Sequence, residues 1–229
     1  LDGSVQMIRA SEAISGPVDL AGVTQLSVTG AASEISISTR GDGTREAVLS
    51  GTRHGWGAIW RSGWFAGDCA GQARMTRDGA TLTVDMGDRG GFFGWNDWDE
   101  CTLTFTAELS PEARVSIRQN AARMQLSGDF AAIDVESDAG DFAFTGHAAT
   151  VAVSGAALRA KLAFERVMNT EEIRISGKML DASLRFLTPT PISYGVDAIA
   201  SYVDSALPNT PGAKPSISIR GEMVHATIR

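Results

Sequence analysis

All five tryptophans of this chain fall in two short runs, His54-Gly-Trp-Gly-Ala-Ile-Trp-Arg-Ser-Gly-Trp-Phe65 and Arg89-Gly-Gly-Phe-Phe-Gly-Trp-Asn-Asp-Trp-Asp-Glu100. Each run is too rich in glycine for a stable helix and too aromatic for an ordinary solvated loop. Trp56, Trp60, Trp64, Trp95 and Trp98 carry large flat apolar surfaces that stack on sugar rings or form hot spots for protein partners when exposed. The competing expectation is that they pack on one another and cap one end of the fold, where an open end would leave strand edges and core uncovered.

Other reactive residue types are sparse. Cys69 and Cys101 are the only cysteines. An even count in a Gly-rich, Ser/Thr-rich chain favours a disulfide in an exported compartment, against the plainer alternative of two buried thiols. Closing the loop between them would stabilise the fold by roughly 3 to 4 kcal/mol, less any strain. Two cysteines and the scattered His54, His147 and His225 do not make a zinc site. None of the histidines stands in a nucleophile-elbow context, and His147 and His225 read as structural.

Asp129, Asp138 and Asp141 sit at turns, where Asp bonds its own backbone, and the Gly-Gly-x-Gly-x-Asp pattern of a calcium roll is missing from this region. Asp97, Asp99 and Glu100 are a better ion candidate, although a solvated loop is the favoured explanation for them. Gly90, Gly91 and Gly94 follow no strand-to-helix signature, which sets a phosphate cradle aside. Neither a metal nor a cofactor is expected. Paired carboxylates for glycoside hydrolysis are set in three dimensions, so an envelope glycan hydrolase stands as the alternative to a non-catalytic role.

The elements that must position these residues are written in a short repeat. Val115/Ile117, Met124/Leu126, Ile133/Val135, Phe142/Phe144 and Val151/Val153 are apolar-x-apolar pairs spaced nine residues apart. Alternation at a fixed short period predicts stacked strands with one buried face. Small residues form the corners, as in Ser127-Gly128-Asp129 and Thr145-Gly146-His147. Two half-turns of nine give an 18-residue coil, so the fold class is all-β, a β-solenoid or β-roll-like stack of short strands. An antiparallel β-sandwich is the alternative, although it would use two-residue Asn-Gly or Asp-Gly turns at most corners.

The boundaries follow from this pattern. Residues 1–229 read as a single elongated β domain, with Trp/Gly-rich insertions at 54–100, regular nine-residue strand repeats at 101–187 and closing strands at 188–229. Before the first insertion, short strands are expected at 26–28, 34–38 and 47–49. Between the insertions, Ala73 to Met75 and Thr81 to Met86 are expected to flank an Asp78-Gly79 turn. The segment 158–172 fits a strand or a helical face, with strand favoured, and 192–207 is ambiguous.

A formal charge of −7 argues against a nucleic-acid partner or an anionic membrane surface, both of which reward clustered Lys and Arg. No apolar stretch approaches the roughly 18 to 20 residues of a membrane-spanning helix. The start at Leu1, without methionine, suits a mature form as well as a trimmed chain.

The run Leu103-Thr-Phe-Thr-Ala-Glu-Leu-Ser-Pro-Glu-Ala-Arg-Val-Ser-Ile117 joins an alternating strand, a proline-containing bend and a second strand, and the apolar-x-apolar-x-Gly series follows it. This stretch resembles the toastrack-type putative adhesin family of bacterial cell-envelope β-repeat domains. The ending Ile217-Ser-Ile-Arg-Gly-Glu-Met-Val-His-Ala-Thr-Ile228 is similar to that family's closing strands. The likeness covers the C-terminal two thirds well and the first fifty residues loosely. It implies an exported protein of the periplasm or cell surface that is adhesin-like or envelope-sensing, with no shared catalytic motif. The implied partner is a surface polysaccharide or an envelope protein. The Trp-rich runs and the cysteine pair depart from the family pattern, which makes them the place to look for what is particular to this chain.

Overall fold

A computed structural model describes residues 6–9, 17–54, 73–87 and 100–229, and these contain strands and turns but no helix. The strands are β1 (Gln6–Arg9), β2 (Val18–Asp19), β3 (Gln25–Ser38), β4 (Glu46–His54), β5 (Arg74–Asp78), β6 (Thr81–Asp85), β7 (Glu100–Glu108), β8 (Ala113–Phe164), β9 (Glu172–Phe186), β10 (Ser193–Ser205) and β11 (Ser216–Ile228).

β8 is continuous over 52 residues because it winds through successive coils. Its start pairs parallel with β3, Leu26 opposite Val115 and Ile35 opposite Met124, and its end pairs parallel with β9, Val151 opposite Ile173. Between these ends the backbone of Gly146 lies directly over Gly128, and that of Gly155 over Ser137, eighteen positions apart in each case. The stack continues in parallel from β9 to β11 and from β11 to β10. The open choice between solenoid and antiparallel sandwich is therefore resolved by register: the coils stack in parallel.

Each coil has two straight halves separated by a corner. Along β11 the buried positions are Ile217 and Ile219, then Val224, Ala226 and Ile228, so the inward parity slips by one at Gly221 to Met223. Residues 216–228, expected among the closing strands, form a single strand with a solenoid corner in its middle. On the first half the inward residues form β-branched columns such as Val28, Ile117, Val135, Val153, Ile175 and Ile219. β-branched side chains suit such columns because their stiff χ1 packs rung on rung. On the second half large rings meet small residues, with Phe142 in the same column as Ala160 and Ala182. Phe130, Phe144, Phe164 and Phe186 form a chain of contacts at 6.2, 5.4 and 5.4 Å between ring centroids. Burying each such side chain contributes about 1.5 to 3 kcal/mol.

The corner between the halves is tight. Gly155, Gly177 and Gly221 stack in one column, and a Cβ on Gly177 would come within 2.1 Å of the Gly155 carbonyl oxygen. At the preceding coils the same column holds Gln119 and Ser137, both buried. Ser33 Oγ donates to Gln119 Oε1 at 2.7 Å, and Ser137 Oγ donates to the Ala139 carbonyl at 2.9 Å.

Beyond β3 the stack divides. The first half of β3 pairs with β6, which continues through the β5–β6 hairpin at Asp78-Gly79 to β1. The second half pairs with β7, then antiparallel with β4, which carries β2. Of the segment 158–172, residues 158–164 continue the β8 strand, as favoured, whereas 165–171 form a link without strand because the chain there leaves the coil to reach β9. Residues 193–205 form β10, whose sequence alternation is weak because, among the described residues, no further coil covers it.

Candidate functional site

One outward column follows the corner along the stack. Register places Thr104, Glu34 and Arg123 side by side, and Arg159, Asp181, His225 and Tyr202 likewise, with Asp141 one coil from both Arg123 and Arg159. The signs alternate: Glu34, Arg123, Asp141, Arg159, Asp181. Arg123 approaches Glu34 at 3.6 Å, Arg159 approaches Asp181 at 3.9 Å, and His225 Nδ1 lies 3.1 Å from Asp181 Oδ1. The His225 ring stacks on Tyr202 at 5.6 Å. Each pair is half-exposed and adds at most about 1 kcal/mol to stability. The ladder's chief effect is to hold charged groups in a straight row.

Beside the ladder runs an open groove. Its C-terminal stretch, about 780 Å³, has Gly140, Leu158, Leu180 and Val224 along its floor and the exposed Met179 and Met223 on its other flank. A second stretch of about 410 Å³ shares Ala139, Gly140 and Asp141 with the first and runs on past Arg123 and Glu34 to Thr102 and Leu103 of β7. The groove therefore crosses eight rungs of the stack, three of them successive passes of β8, about 34 Å at the usual strand spacing. Its floor is made by the corner, where small residues leave the inward Leu and Val side chains within reach of solvent.

The tryptophans and Cys69 lie outside the described residues, as do Asp97 and Asp99; the strand ends that carry the two runs are described. The first run leaves β4 at His54 and returns at Arg74 of β5. The second leaves β6 at Asp85 and returns at Glu100 of β7. His54 is the register partner of Glu100, and Arg74 of Asp85, so both runs begin and end at paired positions. Cys101 sits on β7 opposite Arg53. The groove's second stretch reaches Thr102, next along β7 from this point.

Of the turn carboxylates, Asp129 meets Arg166 at 3.4 Å and Asp141 belongs to the ladder. Among the described residues no group of three or more His, Cys, Asp or Glu is placed to hold a metal. His147 is buried, and its Nε2 lies 3.0 Å from Glu171 Oε1; because a carboxylate only accepts, the ring donates there. Burial alone would raise the Glu171 pKa. The backbone N–H groups of Met168, Glu171 and Thr170, together with His147, outweigh it and hold the carboxyl below its ordinary value. This pair fastens the 165–171 link to the coil beneath it and lines neither stretch of the groove.

Sequence reading missed the groove and the role of His225 within it. The signal was present at twice the nine-residue period, since Arg123, Asp141 and Arg159 are spaced by eighteen with alternating sign.

No sequence-family profile matches the chain, and no curated protein matches it. Three solved structures are similar in fold. One is a putative cell adhesion protein from Clostridium sporogenes, at 9% identity and TM-score 0.47, covering 98% of both chains. Another is a putative adhesin from Bacteroides fragilis, at 11% identity and TM-score 0.47, covering 99% of this chain and 97% of that one. The third is a putative adhesin from Parabacteroides merdae, at 12% identity and TM-score 0.32, covering 100% of this chain and 98% of that one.

Proposed function

We propose that this chain is a non-catalytic binding module of the bacterial cell envelope, adhesin-like, that lays an extended surface polymer along the corner groove and holds one end of it with the Trp-rich runs. The observation that carries this reading is the continuity of the groove from β10 to β7, where it comes within two residues of Glu100, at which the second aromatic run returns, and of its register partner His54, at which the first run leaves. An apolar floor with a charged wall suits a chain of sugar rings, which present apolar faces and polar edges. A segment of an envelope protein is the other occupant of the same chemistry. Export to the periplasm or cell surface is supported by the even cysteine count and by the resemblance of residues 103–117 to envelope β-repeats.

The hydrolase alternative would use carboxylates in this groove. Asp141 and Asp181 both line it, with Arg159 of the coil between them standing 3.9 Å from Asp181. That arrangement fixes charge in place and favours recognition over proton transfer.

The test is a bacterial glycan array probed with the parent chain, with a Trp56→Ala/Trp60→Ala/Trp95→Ala variant and with Met179→Asp. Loss of about tenfold or more in affinity for both variants, at unchanged melting temperature, supports the reading. Equal binding by all three removes it, and release of reducing ends from a bound glycan would establish the hydrolase instead.

A further inference from the structure

β10 is the last rung of the stack. It is 13 residues long and pairs with β11 on one side; among the described residues, no strand pairs with its other side. Natural sheets blunt such edges with short strands, proline, lysine or a covering segment. Here only the first part is covered. Asn209 accepts from the Tyr194 N–H at 3.0 Å and donates to the Tyr194 carbonyl at 2.7 Å, and Thr210 N–H donates to Ile192. From Val196 to Ser205 there is no proline or lysine, Val196, Ala198 and Val203 are only partly buried against the core, and Ile199 and Tyr202 are 86% and 65% exposed.

We propose that this edge is a self-association surface, on which a second copy of the chain adds its own β10 antiparallel about a two-fold axis through the corner at Ala200 and Ser201. A two-fold there places Val196 opposite Ser205 of the second copy, Ala198 opposite Val203, and Asp197 opposite Asp204. Three independent features agree with this register.

First, inward residues meet inward residues and outward meet outward, so the two cores join without a parity slip. Second, hydrogen-bonding direction agrees. Tyr194 turns its N–H and C=O away from β11, so Val196 and Ala198 do too, whereas Ala206 N–H reaches Ile228, so Val203 and Ser205 face away in the second half. The facing residues therefore present free donors and acceptors to one another. Third, charge is balanced. The chain carries a net −7, yet both acids of β10 are already matched by arginines, Asp197 with Arg220 at 3.6 Å and Asp204 with Arg229. Across the joint the order is Arg220, Asp197, Asp204 of the second copy and its Arg229, so the two facing carboxylates are each offset by their own arginine, and the remaining like-charge contact weakens the pairing. An isologous contact of this kind needs no foreign partner, because the edge is complementary to itself. Ten strand residues, Val196 to Ser205, with Met223 and Leu207 beside them fall short of the roughly 20 to 30 residues a side of a standard interface, which sets the expectation of a reversible dimer. On the reading of the groove given above, the two-fold would also join the corner grooves of both copies into one track whose two far ends lie at β7.

Sedimentation velocity across a concentration series tests the inference without any ligand. The parent chain is expected to shift from one to two chains as concentration rises. Val196→Pro removes an edge donor that β11 does not use, and Ile199→Asp places charge at a side chain with no role in the fold. Each is expected to sediment as a single chain at concentrations where the parent is a dimer, with Ile199→Asp keeping the parent melting temperature. Should Val196→Pro fail to fold, Ile199→Asp decides alone. A parent chain that stays single throughout, or a dimer unchanged by Ile199→Asp, overturns the inference whether or not the groove binds glycan.

Discussion

Replacing Gly177 with alanine is the most pointed perturbation of this architecture. The new Cβ would lie 2.1 Å from the Gly155 carbonyl oxygen and 2.8 Å from Leu180 Cδ2. Leu180 can rotate, but the carbonyl belongs to the backbone of the neighbouring coil and is held by the ladder on both sides. Relief requires the coils to separate locally by about 1 Å, which costs on the order of 1 to 3 kcal/mol or somewhat more. For a chain of this length each 1 kcal/mol moves the melting temperature by about 2 to 4 °C. Gly177→Ala is therefore expected to melt about 4 to 10 °C below the parent by differential scanning calorimetry. Gly43→Ala is the matched control, because nothing lies within 4 Å of its added Cβ. Reduced unfolded-state freedom should leave it neutral or up to about 1 kcal/mol more stable. If both variants melt with the parent, the close stacking of the corner column is wrong.

Phe164 is fully buried between Phe144 and Phe186, so Phe164→Ala should cost about 3 to 5 kcal/mol in urea unfolding; a loss under 1 kcal/mol would contradict the aromatic chain. Glu171, with its folded pKa held below the unfolded value, contributes stability that is present above the ordinary carboxylate range and is lost as pH falls through the lowered folded value. Glu171→Gln should be about 1 to 3 kcal/mol less stable than the parent at neutral pH, and the gap should narrow in acid; a gap that is constant with pH would refute the assignment. Arg123→Ala removes an exposed ladder member and should change the melting temperature by no more than about 2 °C, a result that thermal unfolding monitored by circular dichroism checks directly.

Much of this fold is legible in the sequence because a solenoid repeats its constraint. Val115, Ile133 and Val151 each face the same interior, so one alternating pattern recurs until it stands above noise. The corners are legible for the same reason, as at Gly146 and Gly155, where only a missing side chain lets two backbones meet. Residues 193–205 were not legible, because a terminal rung has its inward side chains half-covered and selection for alternation relaxes there. The groove escaped reading for a different reason. Met179 and Met223 are forty-four positions apart and become neighbours only through the β9–β11 register, where the chain passes β10 before returning. The ladder from Arg123 to Arg159 lay within reach, but only when outward residues are compared across whole coils instead of half-coils.

The central claim, that residues eighteen apart stack in parallel, can be tested by disulfide trapping in a chain with Cys69 and Cys101 changed to serine. Gln125→Cys with Ala143→Cys places two outward cysteines on adjacent rungs, within the roughly 4.4 to 6.8 Å Cα separation that a disulfide tolerates. Gln125→Cys with Asp134→Cys places them on different halves of the stack. Rapid oxidation of the first pair and none of the second is the predicted result; cross-linking of the second pair without the first would mean that nine-residue neighbours lie side by side and that the coil does not exist.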